Sequence, residues 1–199
     1  MQKPSNFDNT QATREYVPVT VGGHYAGLKK VEETKTRTGK DMLAVALDFL
    51  PRDSQGNYMA REFANDIRPD KKWPRAGRMY IVVTDNDGNC SRSFKSFINA
   101  VERSNPDFKV QWGENFGQQF RGKEVGIVYG EVESEWNGKR SMRVEPRWFC
   151  DIDKVESAKI PEPKYLPNNN VTQAAPAIQA NNVAGFVSVP DVDLEEIPF

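Results

Sequence analysis

Lysine and arginine recur beside aromatic residues at three places in this sequence. Lys71, Lys72, Trp73 and Arg75 fall within five residues, Arg78 and Tyr80 follow two apart, and Trp136 precedes Lys139, Arg140, Arg143, Arg147 and Phe149. Cations neutralise phosphates, and an aromatic face accepts a stacked base for about 1–3 kcal/mol, so this mixture is the chemistry of an unpaired polyanion with flat bases. Singly, each cation is ordinary solvated surface and each ring ordinary packing; only the recurrence carries the reading. The starting points for catalysis are missing: there is no Walker phosphate loop, no convincing carboxylate pair, and the single histidine, His24, has no partner evident in the sequence. Cys90 and Cys150 form no CxxC pair, which points to two thiols in a reducing compartment. The run Asp85-Asn86-Asp87-Gly88-Asn89 lacks the third spaced acid and closing Glu of a calcium loop and reads as a polar turn. No metal and no cofactor is expected.

Strands must present these residues, and the hydrophobic periodicity supplies them. Residues 16–35 read as a long strand bent at Gly22-Gly23. Residues 42–50 place Leu43, Val45, Leu47 and Phe49 on one face and Ala44 and Ala46 on the other, and residues 58–65 read as a third strand. After a proline-rich loop at 68–77, residues 78–84 turn Met79, Ile81 and Val83 inward and hence Arg78 and Tyr80 outward. Phe94, Phe97, Ile98 and Val101 have helical spacing, with Ser91 or Ser93 as cap and Asn105-Pro106 as terminator. Residues 108–121 are an aromatic connection without an assigned element, in which Trp112 is open between core and surface. Residues 123–133 read as a strand buried on both faces, and Asn137-Gly138 marks a hairpin turn. In the closing strand, 141–152, Met142, Val144, Trp148, Cys150 and Ile152 point inward, which turns Arg143, Arg147 and Phe149 outward. Trp73 and Trp136 stay open between loop packing and base stacking. The fold class that follows is mainly β: an OB-fold-like, five-stranded Greek-key barrel with one helix.

Charge is unevenly distributed. The 199-residue chain has a net charge of −1, but residues 157–199 carry −3 and residues 1–156 carry +2. Hydrophobic residues make up 38% of the chain, enough for one core if concentrated in the body. Residues 1–15 read as a flexible polar arm without the apolar stretch of a secretory signal, 16–156 as the folded domain, 157–190 as a disordered linker and 191–199 as an acidic tip. No run of apolar residues is long enough for a membrane span, so a cytoplasmic protein is expected. The tip sets Asp191, Asp193, Glu195 and Glu196 ahead of Ile197, Pro198 and Phe199, joining an aromatic ring to the terminal carboxylate. A pocket rimmed by Lys or Arg could take both.

The acidic run closed by Ile-Pro-Phe, after a stretch from Tyr165 to Pro190 without a charged residue, resembles the tip of bacterial and bacteriophage single-stranded DNA-binding proteins. The body, with Ser93-Phe94-Lys95-Ser96-Phe97-Ile98, Asn137-Gly138-Lys139 and Pro146-Arg147-Trp148-Phe149, is similar to phage replication-module proteins of that kind. The resemblance implies a protein that protects single-stranded DNA during replication, recombination and repair in the cytoplasm of a bacterial host. It also implies a tip that recruits replication and recombination proteins such as a recombinase mediator, helicase or primase. Self-association stays open. The rival from another class is an OB-fold adaptor that binds only proteins; a nucleic-acid-processing enzyme ranks behind it.

Overall fold

The computed structural model describes residues 2–5, 7–9 and 17–167. Five strands form one antiparallel sheet: β1 (Gly22–Lys35), β2 (Asp41–Phe49), β3 (Arg78–Val82), β4 (Glu124–Trp136) and β5 (Lys139–Cys150), in the order β3-β2-β1-β4-β5. Two helices accompany it, α1 (Tyr58–Asn65) and α2 (Arg92–Ser104).

β1 serves both halves of the sheet. Its residues 22–27 pair with β4, and its residues 26–35 pair with β2. The strand starts at Gly22 rather than at residue 16, because residues 17–20 instead run beside the loop before α1. There Tyr58 donates to Val17 O, and Gln55 bonds both Pro18 O and Thr20 N. The register break also lies elsewhere than expected, at Lys29, between the Leu28–Leu47 and Lys30–Ala46 pairs. A bulge residue inverts the alternation beyond it. Leu28 and Val31 therefore both reach the core, and Lys30 and Glu32 face out.

The segment 58–65 is a helix, not the third strand that its sequence suggested. Its residues include the good helix formers Met59, Ala60, Arg61, Glu62 and Ala64, and tertiary structure supplies the cap. The buried Asp48 carboxylate on β2 accepts from Met59 N (2.9 Å), Ala60 N (3.3 Å) and Phe49 N (2.9 Å). A carboxylate at a helix N-terminus satisfies orphan N–H groups and complements the dipole. The second helix, α2, follows its sequence pattern: Ser91 Oγ accepts from Phe94 N at 3.1 Å, and Phe94, Phe97, Ile98 and Val101 are buried. At its far end the Asn105 side chain donates to Val101 O and Glu124 O, locking the helix to β4.

The core lies between the inner sheet face and α2, floored by Phe108, Phe116 and Phe120 from the connection at 108–121. Gly117 lets a short 3-10 turn, Phe116–Phe120, press on β1, where a Cβ would come 2.2 Å from Val31 O. Folded chain also extends beyond the expected boundary at 156. Lys164 bridges Val132 in parallel, exchanging backbone hydrogen bonds with Glu131 and Glu133, and Pro161 is seated on Gly130. Residues 161–167 thus cover the part of β4 that β1 leaves unpaired.

Candidate nucleic-acid interface

Outside the core, β2 presents only methyl groups at Ala44 and Ala46, between two richer strands. Ala46 pairs with Lys30 on one side and Arg78 on the other; Ala44 pairs likewise with Glu32 and Tyr80. Cross-strand partners share a face, so the small alanines, 5% and 6% exposed, become the floor of a shallow surface groove. Lys30 and Glu32 wall it on the β1 side, and Arg78 and Tyr80 on the β3 side. Lys30 and Glu32 form an ion pair at 2.7 Å, each about one-third exposed. Arg78 Nε is buried without a hydrogen-bond partner. The outward placement of Arg78 and Tyr80 agrees with strand parity. Lys30 and Glu32 escaped the sequence reading because the Lys29 bulge hides the alternation of β1.

The far halves of β4 and β5 extend as a hairpin arm closed by the expected turn, with Asn137 and Gly138 both at positive φ (50° and 73°). Its ladder sorts the charges by face. Trp136 stands opposite Lys139 and Val132 opposite Arg143, while Glu131, Glu133 and Glu135 stand opposite Val144, Met142 and Arg140. One face therefore carries Trp136, Lys139 and Arg143, with Glu145 further along it opposite Gly130, and Trp136 is 65% exposed. The other carries three glutamates and Arg140, whose guanidinium meets Glu135 at 3.1 Å and Glu133 at 3.6 Å. Arg140, a neighbour of Trp136 and Lys139 in the hairpin, thus lies on the opposite face from them.

Other candidates are redistributed. Phe149, expected to face outward, is 4% exposed and packs on Phe97 with centroids 4.9 Å apart. The cause is a bulge at Arg147: Val128 pairs with Trp148 but Tyr129 with Pro146, so parity inverts between Val144 and Phe149. Trp148, assigned to the core, is accordingly only half-buried, and Met142 is exposed. Arg147 bonds the carbonyls of Glu131 and Glu162, fastening the 161–167 segment rather than facing a ligand. Trp73 is anchored in the fold, its Nε1 donating to Leu47 O at 2.9 Å and its ring against Phe63. That packing removes it from the stacking set. Lys71 and Lys72 are exposed, with Lys71 over the Phe63 ring at 4.7 Å. Arg75 reaches Glu145 at 3.1 Å and ties the approach to β3 to the middle of β5. Trp112 is 70% exposed and stacked on Phe116 at 5.2 Å, on the connection at 108–121. The tip residues, Asp191 to Phe199, lie outside the described residues.

His24 does have a partner, which chain separation concealed. Its Nδ1 lies 3.0 Å from Asp53 Oδ1, its Nε2 lies 2.9 Å from Thr20 O, and its ring stacks on Phe49 at 4.4 Å. Both ring nitrogens are engaged by protein atoms and the residue is 2% exposed, the arrangement of a structural histidine. Burial pushes the Asp53 carboxyl up, but hydrogen bonds from His24 and from the N–H groups of Gln55 and Tyr25 outweigh it, leaving it below its ordinary value. Burial holds the Cys150 thiol at about 11. Among the described residues no group of three or more potential metal ligands occurs, and no helix is long and apolar enough to cross a membrane. No protein-family model matches the chain, and no curated protein is significantly similar to it.

Proposed function

We propose that this chain binds single-stranded DNA with little sequence preference, protecting it during replication, recombination and repair. The observation that carries the reading is the shallow alanine-floored groove flanked by Lys30, Arg78 and Tyr80, which sets two cations beside an aromatic ring. The arm face with Trp136, Lys139 and Arg143 adds a second stretch of the same chemistry. The strand order β3-β2-β1-β4-β5, with α2 between β3 and β4, supports an OB fold whose β3 and β5 edges approach without a ladder. The Arg75–Glu145 ion pair spans that approach. In such a barrel the outer strand face and hairpin loops take oligonucleotides. The acidic residues 191–199 would recruit replication and recombination proteins, as the resemblance of the tip implies.

Titration of intrinsic tryptophan fluorescence with oligo(dT) tests the reading, since Trp136 is exposed on the arm. Quenching is expected, with a log-log salt slope of about −0.7 per phosphate neutralised and poor competition by duplex. Absence of quenching together with absence of any mobility shift, or equal affinity for duplex, would overturn it.

A further inference from the structure

Glu32 is out of place in a groove that only tracks phosphates. A carboxylate beside a phosphate path is repulsive, yet this one forms a wall of the groove opposite Tyr80, across the Ala44 methyl. Its ion pair with Lys30 sets an ammonium donor 2.7 Å from Oε1, with Oε2 as the second carboxylate acceptor. The pair thus presents the order donor, acceptor, acceptor. On the Watson–Crick edge of the four DNA bases, only guanine carries the complementary order, O6 as acceptor followed by the N1–H and N2–H donors. Cytosine and adenine each offer one exocyclic donor there, and thymine a single N–H between two carbonyls, which would set one oxygen against a carboxylate oxygen.

We infer that this groove is a base-reading subsite that prefers guanine within an otherwise sequence-tolerant single-strand interface. The base rests at the mouth of the groove, against the side chains that flank Ala44 and Ala46, and Lys30 and Glu32 read its edge. On the opposite wall Arg78 adds a positive charge beside the path of the same strand. The inference rests on the single-strand reading above and adds a preference to it. Unpaired bases are the targets whose Watson–Crick edges are free for such contacts. A bidentate contact to a base edge typically separates the right base from the wrong one by about 5-fold or more.

The experiment uses the full chain and a set of oligo(dT) strands of one length, each with one central position changed to dG, dA, dC or deoxyinosine. A single replacement avoids guanine quadruplexes. Dissociation constants come from fluorescence anisotropy of end-labelled strands. The dG strand is expected to bind about 5-fold tighter than the dT strand. Deoxyinosine, which lacks the 2-amino group, should lose most of that advantage, and dA and dC should show none. In Glu32→Gln an amide N–H₂ replaces one acceptor, and the dG-to-dT ratio should fall to about one. The inosine comparison is made on the unaltered protein, so it stands even if the variant folds poorly. Equal binding of all five strands, or a guanine advantage that survives both inosine and Glu32→Gln, would overturn the inference while leaving single-strand binding intact. Failure to bind any strand would overturn both.

Discussion

At the residue scale, Phe149 and Tyr80 have opposite roles although both were read as outward. Phe149 fills the core against Phe97, so Phe149→Ala should cost about 3–5 kcal/mol of stability in urea unfolding. Tyr80 lines the groove, and Tyr80→Ala should weaken oligo(dT) binding while the melting temperature moves by only a few degrees. The reverse pattern would put the bulge at Arg147 in the wrong place. The buried His24–Asp53 contact sets a second expectation. The folded-state pKa of Asp53 is depressed, so its contribution is fully present above the unfolded value of about 3.9 and is lost as pH falls through the folded value. Asp53→Asn should therefore cost about 1–3 kcal/mol at pH 7 by weakening the buried hydrogen bonds that the carboxylate accepts from His24, Gln55 and Tyr25. The deficit should narrow in unfolding curves taken below about pH 4. A constant deficit from pH 7 to pH 3 would mean that the carboxylate charge contributes nothing there.

At the element scale, the arm separates its charges by the period of two that any ladder imposes. Lys139→Ala and Arg143→Ala should each lower affinity for oligo(dT) and flatten the log-log salt slope by about 0.7, since each is expected to neutralise one phosphate. Arg140→Ala should leave the slope unchanged, because its guanidinium already faces Glu133 and Glu135. Salt titrations of the three variants would check this, and equal slopes for all three would show that the arm does not touch the strand. α1 carries a different lesson. Its N-terminus is capped from β2 by Asp48, a residue ten positions before the helix begins, and no local motif could announce such a cap.

At the scale of the whole molecule, the folded unit reaches Pro167. Truncation after residue 156 would remove the segment that covers β4 at residues 131–133 and the contacts of Pro161 on Gly130. Truncation after residue 167 would keep both. The shorter chain should melt lower and the longer one close to the full protein, by scanning calorimetry. If the two truncated proteins melted alike, the 161–167 segment would add nothing to stability. The 167-residue chain should also retain its affinity for oligo(dT) while losing capture of replication and recombination proteins, since it lacks Asp191 to Phe199.

The sequence by itself determined the elements whose signals are local. The α2 stripe with its Ser91 cap, the Asn137-Gly138 turn, the doubly buried β4 and the outward Arg78 and Tyr80 each follow from spacings of two to four residues. Tertiary structure decided whatever depended on a residue far along the chain. Two bulges, at Lys29 and Arg147, inverted side-chain parity and so admitted Lys30 and Glu32 to the groove and sent Phe149 to the core. Asp48 favoured a helix over a strand at 58–65, and Asp53 gave His24 its partner from 29 positions away. The physical reason is the same in each case. Alternation is a local property of extended chain, whereas a bulge, a distant cap or a buried side-chain contact is settled by the strand or loop packed against it.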